Sequence, residues 1–223
     1  MEPVQIIGLP QSNFVWATRI ALAEKGVAHE NIPAPPHSPE VLAIHPLGKI
    51  PVLRHGAVEI GESRAIIDYV DEAFDGPPLV PADPEAARCN DSWTSIITST
   101  VEPLLIRRYV LSYLLPKGAE GQPDRATIDS LQPEMASTLD VLEDALKSGA
   151  LGREPFGRID AYLVPILFYT RMMPEGGALI ALDHSSRRTS TARCHGRVFR
   201  RPCRLRRRPQ PDACGGVLHL LQT

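Results

Sequence analysis

The chain has no apolar run long enough to cross a bilayer, which excludes a membrane-spanning helix. Its first residues, MEPVQIIGLP, lack a basic stretch ahead of an apolar one. They do not read as a secretory signal, so a cytoplasmic protein is the expectation. Cysteine is scarce. Cys89, Cys194, Cys203 and Cys214 have neither metal-ligand nor redox spacing. Reduced, unpaired thiols are therefore expected rather than a disulfide frame. Lysine is absent from residues 184–223, and acid is nearly so: that segment holds ten Arg and a single Asp212. Of the 24 basic and 26 acidic residues in the chain, 14 and 25 then fall in residues 1–183. A region of net charge −11 thus precedes one of +9, and the two do not share a composition.

A chain of 223 residues suffices for one large or two small domains. Val4–Gly8 has the length and β-branched content of a strand. Phe14, Ala17, Ala21 and Leu22 follow helical spacing, with Ser12 or Asn13 as N-cap and Gly26 as stop. Val27–Pro33 reads as a second strand. Ser38-Pro39-Glu40 opens a short helix that ends before Pro46. Ile50–Arg54 and Ala57–Ile60 form a hairpin around His55-Gly56. A helix starts at Ser63, with Ile66, Ile67, Val70 and Phe74 on one face.

The order is βαβ-α-ββα, followed by a Pro-rich linker at Asp75–Pro84. The rest is helical: Glu85–Leu115 with a kink expected at Pro103, Arg125–Lys147, and Gly157–Met172 with a kink expected at Pro165. A short helix opens at Pro174-Glu175 and fades around Ala181. The fold class is α+β. After Leu182 the periodicity stops. Val198, Phe199 and Leu205 are the only large apolar residues between 184 and 216 apart from cysteine. Such a segment buries too little apolar surface to offset its ordering entropy.

Three places in the first region suit a small peptide. A cis Ile50–Pro51 bond would turn the backbone of Ile50 outward and offer its N–H and C=O to a ligand. Alternatively, Pro51 merely begins an edge strand through a trans bond. Ser63 at a helix start leaves amide groups free for a carboxylate, and Glu62 beside it suits an ammonium group. The plainer alternative is an N-cap beside a solvated Glu62. Ser12, between a strand and a helix N-terminus, can stabilise a thiolate, or it is simply a cap. A free thiol has a pKa of about 8.5, so little of it is ionised near neutrality. No His/Asp partner lies near Ser12, which argues against a serine hydrolase.

SNFVWATRIALAEKG, HPLGKIPVL and GESRAIIDYVDEAF, in that order, resemble the cytosolic glutathione transferases. The likeness is to the serine-type theta, phi and tau classes and covers roughly residues 1–182. It implies a thioredoxin-like domain over 1–76, an all-α helical domain over 84–182, and an aberrant tail over 183–223. It further implies that Ser12 holds the glutathione thiolate and that Ile50 pairs with the cysteinyl part through its backbone. Pro51 would be the cis proline, and Glu62 and Ser63 would hold the γ-glutamyl end. Lys49 would contact the peptide, and His37 would reach the glycyl carboxylate. Asp160 resembles the acid of the family's folding motif.

The resemblance implies glutathione as co-substrate, a small hydrophobic electrophile, a homodimer and no metal. Tyr109, Tyr113 and Arg107 are candidate wall residues for the electrophile, with core or dimer contacts as the alternative for the aromatics. Two positions depart from the family pattern. Trp16-Ala17 stand where basic residues are usual, and Gly157 replaces a capping Ser or Thr at a cost of a few tenths of a kcal/mol.

The charge break suggests a reading-frame change near Leu182–His184 in a gene of high G+C content, which the nucleotide sequence tests. A basic arm for nucleic acid is disfavoured, because the segment has Arg without Lys and no aromatic platform beyond Phe199. Two other functions compete with conjugation. One is a zeta-type maleylacetoacetate isomerase, disfavoured because that class carries a Ser-Ser-Cys cluster where Gln11-Ser12-Asn13 stand here. The other is a non-catalytic binding module.

Overall fold

The computed structural model describes residues 2–116, 118–152 and 155–186. The N-terminal part is β1 (Val4–Ile7), α1 (Asn13–Glu24), β2 (His29–Ile32), α2 (Pro39–Leu42), β3 (Val52–His55), β4 (Val58–Gly61) and α3 (Ser63–Ala73). The strands form one sheet in the order β2-β1-β3-β4. β1 pairs parallel with β2, to which α1 connects it, and antiparallel with β3. The hairpin turn falls at Gly56-Ala57, one residue later than the expected His55-Gly56, because Gly56 takes φ +59° there.

Alternation along β1 sends Val4 and Ile6 to one face and Ile7 to the other. Ile7 joins Ala34, Val41 and Val52 beneath α2. Val4 and Ile6 join a larger core that continues through α1 and α3 into the second region.

That second region is all helical. α4 (Pro84–Ile96) continues as two stretches of wide π-helical turns, Ile97–Val101 and Pro103–Val110, and then α5 (Leu111–Leu114). The disturbance expected at Pro103 is therefore a long widening around a proline that donates no hydrogen bond. α6 (Arg125–Ser148), α7 (Arg158–Met172) and α8 (Pro174–Ser186) follow. α8 runs five residues past the fade expected at Ala181. Residues 187–223, and with them most of the Arg-rich segment and the reading-frame question, lie outside the described residues. So do Cys194, Cys203 and Cys214; Cys89 is an exposed free thiol.

Gly157 caps α7 through its backbone, its N–H donating to Asp160 Oδ2 at 3.0 Å. A Cβ at this position would sit 2.8 Å from the Leu79 carbonyl oxygen, which already accepts from Arg158 N–H at 2.8 Å. The linker backbone lies so close that any side chain here would force it to shift. That explains the departure from a capping Ser or Thr.

Candidate functional site

Ser12 is the N-cap of α1, with extended backbone. Its Oγ accepts weakly from Val15 N–H at 3.4 Å, and its carbonyl opens the helix by accepting from Trp16 N–H. The N–H groups of Asn13 and Phe14, ahead of that first bond, have no acceptor within the helix. The next residue, Asn13, is buried and donates to Glu102 Oε1 at 3.3 Å, between the two π-helical stretches. Burial pushes the Glu102 carboxyl up, opposed by Arg107 and Asn13.

The Ile50–Pro51 peptide bond is cis. Ile50 lies ahead of the first β1–β3 pair, Ile7–Val52. Among the described residues, its N–H and C=O enter none of the backbone hydrogen bonds made in turns and loops. Ile50 packs against the loop that carries Ser12, because Gly8 has no side chain there: a Cβ on Gly8 would lie 3.2 Å from Ile50 Cβ.

Lys49 is exposed on the turn just before Ile50. His37, at φ +64°, donates its N–H to the Gly48 carbonyl at 2.8 Å. Its ring closes against Gly48, beside Lys49.

Glu62 caps α3 with φ +65°, an unusual conformation for a residue with a Cβ. The N–H groups of Ser63, Arg64 and Ala65 precede the first bond of α3, Ile66 N–H to the Glu62 carbonyl, and so have no acceptor within the helix. The Glu62 carboxylate is exposed and held from one side by buried His45, whose Nε2 lies 2.9 Å from Oε1. His45 Nδ1 accepts from Leu47 N–H at 3.1 Å. That nitrogen carries no proton, so Nε2 is the donor to Glu62.

α7 touches both ends of this arrangement. Tyr162 donates to Ser63 Oγ at 3.0 Å, and burial pushes its phenol up to about 12. Two turns on, Tyr169 donates to the Gln11 carbonyl at 2.9 Å, one residue before Ser12. At the start of α7, buried Arg158 bridges Asp68 of α3 and Asp91 of α4, and its Nε donates to Thr94 Oγ1 at 3.3 Å.

None of His45, Glu102, Arg158, Tyr162 or Tyr169 stands out in the sequence. Apart from Leu47 beside His45 and Arg107 five residues from Glu102, the partners of these side chains lie 17 to 158 residues away along the chain.

The candidate wall residues divide. Tyr109 is fully buried and, with Tyr113, donates to Glu175 at the start of α8. Tyr109 therefore belongs to the core. Arg107 is exposed, with its Nε on Glu102 at 3.2 Å. Among the described residues there is no cluster of His, Cys, Asp and Glu that could hold a metal, and no helix long and apolar enough to cross a membrane.

A mixed four-stranded sheet with two helix N-termini beside a cis proline, backed by a helical domain, defines the class: a thioredoxin-like domain followed by an all-α domain. The family model described as the glutathione S-transferase N-terminal domain matches residues 6–78. Glutathione S-transferase 3 of Zea mays is 30% identical over 194 residues, 82% of this chain and 86% of its own length. Glutathione S-transferase 1 of Dianthus caryophyllus is 36% identical, but the chain spans only 54% of it. Maleylacetoacetate isomerase of Rattus norvegicus is 31% identical, with 63% of this chain and 64% of that protein covered.

Among solved structures, that of glutathione S-transferase III in apo form aligns with a TM-score of 0.73 at 28% identity, covering 94% of this chain and 100% of that one. The theta class enzyme of Xanthomonas axonopodis pv. citri, with glutathione bound, gives 0.64 at 25% identity, over 83% and 94%. The chain belongs to the glutathione S-transferase family, a family of enzymes.

Proposed function

We propose that the chain binds glutathione along the cis-proline edge of its sheet and transfers the thiolate to a small hydrophobic electrophile. The glutathione-binding part is residues 1–76, and 84–182 supply the wall for the electrophile. In this reading the thiol lies at Ser12, and the Ile50 backbone beside Pro51 pairs with the cysteinyl part. Glu62 takes the α-ammonium group of the γ-glutamyl end, and the Ser63 hydroxyl with the amides of α3 takes its α-carboxylate. Lys49 and His37 flank the glycyl end. The Ser12 proton and the N-terminal field of α1 favour the ionised thiol, which raises the concentration of nucleophile near neutral pH.

One observation carries the reading: α7 bonds the two helix starts two turns apart. Tyr162 and Tyr169 are seven residues apart on a single helix, a rise of about 10 Å. One helix thus ties both helix starts, from anchor points separated by a rise that about three extended residues cover.

The test is Ser12→Ala. Glutathione affinity should hold, while the pH at which bound glutathione ionises, followed by thiolate ultraviolet absorbance, should rise and conjugation should slow about 10²-fold or more. An unchanged rate refutes the role of Ser12. The rat isomerase relative supports a second reaction, cis–trans isomerisation of a maleyl double bond by reversible thiol addition. Gln11 and Asn13 offer no second hydroxyl or thiol for it, and Asn13 is spent on Glu102. Turnover of maleylacetoacetate exceeding conjugation would favour that reaction instead.

A further inference from the structure

We propose that Tyr162 is a positioning residue for glutathione that acts through Ser63: its phenol donates to Ser63 Oγ and thereby aims the serine's own proton at the ligand's α-carboxylate. The inference rests on the reading of Glu62-Ser63 as the γ-glutamyl site. A serine hydroxyl has one proton and two lone pairs, and a phenol is the stronger donor of the two groups. The bond is 3.0 Å long between two buried side chains, and Ser63 Oγ has no other hydrogen-bond partner among the described residues. With a lone pair of Oγ occupied from behind by Tyr162, the hydroxyl proton is left to point away from α7, beside the free amides of the α3 N-terminus. A donor polarised by the bond it accepts is a stronger donor.

The geometry that fixes this bond comes from the same helix. The edge of Phe14 packs against the Tyr162 ring, with centroids 6.1 Å apart. One turn earlier, Arg158 ties α7 to α3 through Asp68. These contacts hold α7 against α1 and α3 with the phenol on Ser63. A carboxylate site that would otherwise rest on a serine hydroxyl free to rotate is organised from the second domain.

The experiment measures affinity for two peptides by calorimetry on the full chain. One is glutathione. The other is γ-aminobutyryl-cysteinyl-glycine, which lacks only the α-carboxylate. Tyr162→Phe should weaken glutathione about 3- to 10-fold, leave the analogue's affinity unchanged, and leave kcat at saturating glutathione unchanged while KM rises. In a Ser63→Ala background, Tyr162→Phe should add no further loss. Equal weakening of both peptides, or full additivity with Ser63→Ala, overturns the proposal. If Ser63→Ala leaves glutathione affinity intact, the site reading itself fails, not merely the role of Tyr162.

Should Tyr162→Phe not fold, 3-fluorotyrosine placed at position 162 keeps the shape and makes a stronger donor. It should tighten glutathione without tightening the analogue, and the absence of that difference refutes the proposal.

Discussion

Glu175→Gln should lower stability strongly at neutral pH and hardly at all near pH 2. Glu175 lies in the first turn of α8 and gathers three elements. Its Oε2 accepts from Tyr109 at 3.1 Å and from Tyr113 at 2.5 Å, and its Oε1 accepts from Arg125 of α6 at 2.7 Å. Gly176 N–H donates to the Tyr109 oxygen at 2.7 Å, which closes the network on the helix start.

Burial alone would raise the Glu175 carboxyl. Hydrogen bonds from Tyr113, Arg125, its own backbone and Tyr109 outweigh it and hold the group at about 2, against an ordinary 4.5. A carboxyl held below its ordinary value stabilises the fold above that value, and the gain is lost as pH falls through about 2. At 1.36 kcal/mol per decade the difference is about 3 kcal/mol at neutral pH. Arg125 is half exposed, so screening brings the expectation to about 2 kcal/mol.

For a chain of this length that is a fall in Tm of roughly 4–8 °C. Thermal unfolding followed by circular dichroism, for both proteins from pH 7 to pH 2, gives the difference as a function of pH. It should shrink steadily below pH 4.5. A difference that stays constant with pH, or none at neutral pH, refutes the assignment of an ionised, network-held Glu175.

Three further outcomes follow from the same structure. Glu102→Gln should raise Tm at neutral pH: the carboxyl is pushed up by burial, so its charged form costs stability above the ordinary value of 4.5, and the gain should fade as pH drops toward that value. A lowered Tm at pH 7 would contradict this. Gly157→Ser restores the family's usual cap residue yet should destabilise by about 1–3 kcal/mol, because its Cβ meets the Leu79 carbonyl oxygen at 2.8 Å. Denaturant midpoints decide between better capping and collision. His45→Ala should raise KM for glutathione, since Glu62 loses its only side-chain donor among the described residues, whereas His45→Gln, which retains an N–H, should recover part of it. Equal KM values in the two variants would sink the donor role.

The first region was legible because its signals are local. Ser12 before an apolar helical period, Gly56 between two β-branched runs, and Pro39 one residue into α2 each mark an end of an element. Strand ends still moved by one or two residues, because Ile50 and Pro51 look like strand but lie outside the β1–β3 ladder.

The second region was legible as helix but not in its detail. The π-helical widening around Pro103 depends on which carbonyl each N–H finds, and a periodicity of apolar residues does not record that. Nothing in the sequence marks Tyr162 or Tyr169. Their hydroxyls acquire a role only when α7 lands against α3 and the Gln11 carbonyl. Arg158 gains its partners Asp68 and Asp91 only through the packing of α7 on α3 and α4.

Glu62 carries two demands that conflict. Its backbone stands at φ +65°, where a side chain is unwelcome and glycine costs least. Its side chain, on the proposed reading, is the acceptor for the ligand's ammonium group. Glu62→Gly should therefore make the protein harder to unfold and poorer at holding glutathione in one step. Selection for robustness alone would erase the carboxylate, so a screen that enriches thermostable variants of this chain without glutathione present should lose activity first at this residue.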